Sequence, residues 1–297
     1  MFPPREAGLG RERATIQRAM GPRVTSVLRR LRGRADRPAP APTPAPAPQS
    51  APAAAGAPIP EAEHRALLDA LPPADRAIVA RALPYTMTGV PRLAALVDAV
   101  RHCVRADVPG NFAECGVWRG GSVLAMVLTL QDMGAADRDI HLYDTFEGMT
   151  EPTEHDTSPH DPPALATWQD AQSRDAPAWP ELFDPHTFNE DSVRETLQAT
   201  GYPPERLHLI RGPVEETLPE AAPDRLALLR LDTDWYESTR HELEHLYPRL
   251  HSGGILIVDD YGHWEGARRA VDEYFAAHPP APLLHRIDYT GRIAVKP

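Results

Sequence analysis

Two apolar runs in this 297-residue chain end in acids. The run LALLRL (226–231) opens onto Asp232 and, two residues on, Asp234; the run ILIV (255–258) opens onto the adjacent Asp259 and Asp260. Runs this apolar read as buried strands, and a carboxylate at the mouth of such a strand is costly to leave without a partner. If the strands are neighbours, three or four carboxylates meet, and their repulsion calls for protonation or a cation. Oxygen donors suit a hard ion such as Mg²⁺, which binds a few carboxylates and completes its shell with water and substrate. The competing reading is that these acids cap the helices that follow.

Two more stretches carry ligand chemistry. ECGVWRGGS (114–122) reads as a strand entering a glycine-rich turn and then a helix. Glycine lets the backbone turn tightly and approach a ligand closely. The spacing, Glu114-x-Gly116-x-x-x-Gly120, is not the G-x-G-x-x-G of dinucleotide enzymes. In YDTFEG, Asp144 ends the next strand, 28 residues after Gly116. An acid there can accept hydrogen bonds from both hydroxyls of a ribose; alone it would serve equally as a turn cap.

The elements that must position these residues follow from periodicity. A helix is predicted over 61–83, broken at Pro72–Pro73, and another over 91–108, with Leu93, Leu96, Val97, Val100 and Val104 at helical spacing. Strands are predicted at 111–115, 140–143, 207–210, 226–231 and 254–258, with helices over 120–131, 190–200, 238–250 and 266–277. Residues 283–287 and 292–295 would close the sheet as an antiparallel hairpin turned at Gly291. This alternation predicts an α/β, Rossmann-like fold: a mostly parallel seven-stranded sheet with helices on both faces. Ligands in such sheets bind beyond the carboxyl ends of the strands, near the switch in strand order. Between 150 and 188 the chain is irregular and holds His155, His160, Trp168, Trp179 and Phe183. A loop of that length reads as a lid over an acceptor pocket, its histidines being ordinary loop residues. His263 reads as a surface residue or a visitor to the acidic site.

Charge is unevenly spread. Residues 1–37 hold ten arginines and three acids, net +7, so the rest carries −18 of the overall −11. An acidic body argues against nucleic acid as the main partner. Residues 38–60 contain nine prolines and no charge, the composition of an extended linker. The organisation is therefore a basic, disordered tail (1–37), a Pro/Ala-rich linker (38–60) and one folded domain (61–297). No run of 18 apolar residues predicts a transmembrane helix, and no apolar segment follows the basic N-terminus as in a secretory signal. Cys103 and Cys115 do not form a C-x-x-C pair and read as buried thiols of a cytoplasmic protein.

These stretches, with ELEHLYPRL and GARRAVDEYF, occur in the order and spacing of the macrocin O-methyltransferase family, which the chain resembles from about residue 86 to 296. The resemblance implies a class I methyltransferase fold, S-adenosylmethionine as methyl donor and Mg²⁺ at the site. It implies a small-molecule acceptor methylated on a hydroxyl, typically of a sugar on a natural product, and a tendency to self-associate. By that resemblance Asp232, Asp259 and Asp260 hold the metal and Asp232 is also the general base. Glu114, Gly116 and Ser122 support the cofactor, Asp144 its ribose, and Gly212 with the residues after it the adenine. Where many members carry an aromatic residue near the adenine, this chain has Val214, which leaves that contact open. The segment Thr86-Met87-Thr88 resembles one that approaches the cofactor.

Two other readings stay open on the residues. Methylation of a catechol-like phenol would also present two oxygens to Mg²⁺, but such enzymes place a lysine near the base, and the only lysine here is Lys296. A non-catalytic methyltransferase-fold binding module would suit the tail and linker; the intact acids at 232, 259 and 260 speak against it.

Overall fold

The computed structural model describes residues 61–297; the expected tail and linker lie outside them. The first helices are α1 (Glu61–Asp69), α2 (Pro73–Ala82) and α3 (Val90–Arg105). Pro72 precedes a helix that begins with Pro73, since proline tolerates a first turn and disrupts an interior one. The doubly wound part then runs β1 (Asn111–Cys115), α4 (Gly121–Asp132), β2 (Ile140–Asp144), α5 (Ala164–Ser173), α6 (Glu190–Gln198), β3 (Leu207–Arg211), α7 (Val214–Thr217), β4 (Leu226–Leu231), α8 (Tyr236–His245), β5 (Leu250–Val258) and α9 (Glu265–Ala277). The hairpin β6 (His285–Arg286) and β7 (Arg292–Val295) completes it.

The seven strands lie in the order β3-β2-β1-β4-β5-β7-β6. β1 to β5 are parallel; β7 runs antiparallel to β5 and to β6. The strand order reverses between β1 and β4, so that crevice is where a doubly wound sheet binds its ligand. Side-chain alternation splits the core. Phe112, Leu228 and Ile257 pack with α2, α3, α4 and α6. Ala113, Leu229 and Leu256 pack on the opposite face with α8 and α9. Both cysteines are buried and unpaired, and burial pushes the Cys103 thiol up to about 12. No helix among the described residues is long and apolar enough to cross a membrane.

The stretch 150–188 departs from the irregular loop expected of it, because it contains α5. That helix buries only Ala164 and Ala171, small residues that leave no apolar stripe to read in the sequence. The segment before it is anchored by Asp156, which is 1% exposed. Its carboxylate accepts from the Thr153 amide (2.6 Å), the Thr153 hydroxyl (2.9 Å) and the Tyr236 amide at the start of α8 (2.7 Å). A run of indoles, Trp168–Trp179–Trp235–Trp264, ties the segment to the domain with centroid spacings of 6.4, 6.0 and 4.9 Å.

Candidate active site

Register decides what meets at the crevice. Glu114 of β1 lies directly beside Arg230 of β4, which lies beside Ile257 of β5. Asp232 and Asp259 each follow two residues on, so all four polar side chains fall on the α3 face. Arg230 is 2% exposed at the centre of the sheet. Its Nη1 donates to Glu114 and to Asp232 (2.6 Å), and its Nη2 to Asp259 (2.6 Å) and the Thr88 hydroxyl (2.9 Å). Arg92 of α3 donates to the other oxygen of Asp259 and pairs with Asp288 at 3.1 Å. The sequence called for a cation or protonation among these acids; the structure places two arginines there, one inside the strand itself.

Two guanidinium groups do not neutralise the cluster. Asp232, Asp259 and Asp260 bring carboxylate oxygens within 4.8 Å of one another, and Asp234 and Glu114 add two more acids. Burial, then the charges of Asp260 and Asp232, push Asp234 well above the ordinary carboxylate range. Burial and Asp232 push Asp260 up to about 7. Asp234 also holds a left-handed backbone (φ +68°), a strained conformation for a residue with a side chain, and its amide donates to Asp260 at 3.3 Å. The three carboxylates of Asp232, Asp259 and Asp260 form an all-oxygen donor set, which fits a hard divalent cation. Asp232 is the more open acid, its side chain 26% exposed against 2% for Asp259.

The glycine turn lies beside these acids. Gly116 has φ +79°, and a Cβ there would overlap the backbone carbonyl of Asp232. Only glycine lets β1 and β4 close at this point. Asp144 binds the turn: one carboxylate oxygen accepts from the amides of Val117 (2.7 Å) and Trp118 (2.9 Å), the other from Phe146 (2.7 Å). Burial raises its pKa, and these amide bonds oppose the rise. A carboxylate has about four acceptor positions. Three are taken, so one remains for a ligand hydroxyl where a pair of ribose bonds was expected.

One cleft joins the two sets. Gly116, Ser122, Asp144 and Gly212 line it together with Asp232, Asp259 and Asp260. Val214 and Met87 also border it, as does Phe183 from the lid-like segment, packed near Gly148. Glu114 does not reach this surface. It is buried behind the turn, with Oε1 bonded to Arg230 and Oε2 without a hydrogen-bond partner among the described residues, and it is pushed up to about 7 chiefly by burial. Glu114, expected beside a cofactor, thus lies behind the cleft surface and not on it. The histidines stand outside the cleft lining. His263 pairs with Asp161 (2.5 Å) and Tyr289 (2.9 Å), His160 packs against His263 and Tyr289, and His155 meets Tyr236 and Arg269. Arg230, Arg92 and Asp156 were missed as contributors. An arginine inside an otherwise apolar strand between two acid-tipped ends was the available signal for the first.

A family profile described as Macrocin-O-methyltransferase (TylF) matches residues 74–294. A 4'-O-methyltransferase of Streptomyces olivaceus, named for 8-demethyl-8-(2,3-dimethoxy-alpha-L-rhamnosyl)-tetracenomycin-C, is 33% identical over 232 residues, 75% of this chain and 81% of that protein. Mycinamicin III 3''-O-methyltransferase of Micromonospora griseorubida is 32% identical over 207 residues, 70% of this chain and 76% of its own. Among solved structures, the O-methyltransferase NovP superposes with a TM-score of 0.60 at 33% identity, covering 71% of this chain and 82% of that one.

Proposed function

Since the chain belongs to the macrocin-O-methyltransferase family and is an O-methyltransferase, we propose that its cleft transfers a methyl group from S-adenosylmethionine to a sugar hydroxyl of a glycosylated natural product, with Asp232 as the base and Mg²⁺ held by Asp232, Asp259 and Asp260. The observation that carries this reading is the meeting, in one cleft, of the glycine turn with three carboxylates whose oxygens lie within 4.8 Å. The relative from Streptomyces olivaceus is named for a rhamnosyl-bearing acceptor, which favours a sugar here. The only lysine, Lys296, donates to the carbonyls of Tyr247 (2.8 Å) and Pro248 (3.3 Å), so no lysine serves as the base of a phenol enzyme.

The chemistry is an in-line displacement. The acceptor oxygen bonds to the methyl carbon as the carbon–sulfur bond breaks, giving a methyl ether and S-adenosylhomocysteine, while the hydroxyl proton passes to a carboxylate. Asp232 is suited to take it. One of its oxygens is held by Arg230 at 2.6 Å, and the other accepts no hydrogen bond among the described residues. Arg230 thereby orients the base, as a fixed partner does in general-base catalysis. A bound Mg²⁺ would supply a lowered pKa and a fixed orientation for adjacent acceptor hydroxyls. Gly116 and Ser122 border the methionine end of the donor, and Asp144 offers its remaining acceptor position to the ribose. The residues that line the cleft hold both reactants in place, which contributes much of the rate.

The test is release of S-adenosylhomocysteine by the full chain against a panel of O-glycosylated natural products and simple catechols, with MgCl₂ or EDTA. Turnover on a glycosylated acceptor, lost in EDTA and in Asp232→Asn, is expected. Turnover confined to catechols, or equal turnover in EDTA, overturns the corresponding part of the reading.

A further inference from the structure

Helix α8 carries a second set of ligating side chains outside the cleft lining. Its sequence HELEH (241–245) spaces His241, Glu244 and His245 at i, i+3 and i+4, which puts them on one face. Glu242 and Leu243 turn instead into the core, both 0% exposed. Donor atoms of the three lie within 4.8 Å of one another, and the imidazole centroids are 4.3 Å apart. Among the described residues only the aspartate cluster of the cleft gathers three donors in the same way.

The tautomer is constrained as well. His241 Nε2 is 3.2 Å from the Leu218 carbonyl. A carbonyl only accepts, so Nε2 carries the proton and Nδ1 keeps its lone pair. This is how a metal-binding imidazole is held by a backbone partner on its far nitrogen. Glu244 is half exposed and bonded to Arg240 at 2.8 Å. Arg240 also donates to Glu237 at 2.9 Å, so it keeps a partner if Glu244 turns to a cation.

We infer that His241, Glu244 and His245 form a binding site for a borderline divalent transition-metal ion such as Zn²⁺ or Ni²⁺, with water completing its coordination. Two imidazole nitrogens favour such ions over Mg²⁺, and the all-carboxylate cluster of the cleft has the opposite preference. The chain thus offers two sites of different selectivity. The one on α8 involves no residue assigned to methyl transfer.

The experiment is calorimetric titration of the EDTA-treated full chain with ZnCl₂, in saturating MgCl₂ so that the aspartate cluster is occupied. One Zn²⁺ per chain is expected. Its affinity should fall about 10- to 100-fold or more in His241→Ala/His245→Ala and stay unchanged in Asp232→Asn. Equal affinity in the double variant, loss of binding in Asp232→Asn, or no saturable binding overturns the site. Circular dichroism checks that the double variant is folded. If it is not, Co²⁺ replaces Zn²⁺: visible d–d bands in the wild type that weaken in His245→Gln support the site, and bands absent from the wild type or unchanged in His245→Gln overturn it.

Discussion

Replacing Arg230 by methionine should cost far more than removing a surface charge, and the structure says how much. The guanidinium is 2% exposed and serves Glu114, Asp232, Asp259 and Thr88 at once. Methionine fills much of the volume but strands buried carboxylates. Breaking a buried ion pair on one side costs about 3–5 kcal/mol. For a domain of this size that lowers the melting temperature by about 6–20 °C. The loss should depend on pH. Burial has pushed Glu114 up to about 7 even with Arg230 beside it. A carboxyl raised in the folded state favours folding when protonated, and that contribution is lost as pH rises from the unfolded value through the folded one. Without Arg230 the folded value rises further, so the variant's deficit is larger at pH 8 than at pH 5. The assay is urea unfolding followed by tryptophan fluorescence, for wild type, Arg230→Met, Glu114→Gln and the double variant. Glu114→Gln should recover about 1–3 kcal/mol in the Arg230→Met background. A deficit under about 1 kcal/mol, or no recovery in the double variant, would refute the claim that Arg230 holds the acid cluster together.

Other consequences are open to simple assays. Gly116→Ala drives a Cβ into the Asp232 carbonyl at φ +79° and should destabilise the domain by about 3 kcal/mol or more, read as a melting shift. Asp156→Ala removes three hydrogen bonds, one at the start of α8, and should cost about 2–3 kcal/mol while exposing the segment around 151–163 to limited proteolysis. His141, lowered to about 4 by burial and by His208, stays neutral in the folded chain while the unfolded chain takes up a proton near pH 6.5. Stability therefore falls as pH drops from about 6.5 toward 4, by about 1 kcal/mol at pH 5.5 after allowance for partial exposure. His141→Gln should flatten that slope in denaturation curves taken between pH 7 and 5.

The sheet was legible because its strands are short apolar runs separated by helices, and the glycine turn and acids sit at strand ends where spacing alone places them. α5 was not legible, since a helix that buries only two alanines shows no periodic face. Asp156 was hidden for another reason: its partner Tyr236 is 80 residues away, and no local pattern announces a contact of that range. The crowding of acids at Asp232, Asp259 and Asp260 was legible from the two strand ends, and repulsion among them called for a cation or protonation. That Arg230 meets part of that demand follows from lateral register with Glu114, a property of the folded sheet. Asp144 shows the same division. Its position at the end of β2 was readable, while its three amide partners leave room for fewer ligand bonds than its position suggested.

The proposed chemistry requires that the cleft over the glycine turn bind S-adenosylmethionine, and calorimetric titration of the full chain with that donor tests this directly. Saturable binding is predicted for the wild type. In Asp144→Asn, with the fold verified by circular dichroism, the loss of a charged acceptor should weaken it about 10-fold or more. Absence of binding to the wild type, or equal affinity in the variant, would contradict a donor site in this cleft.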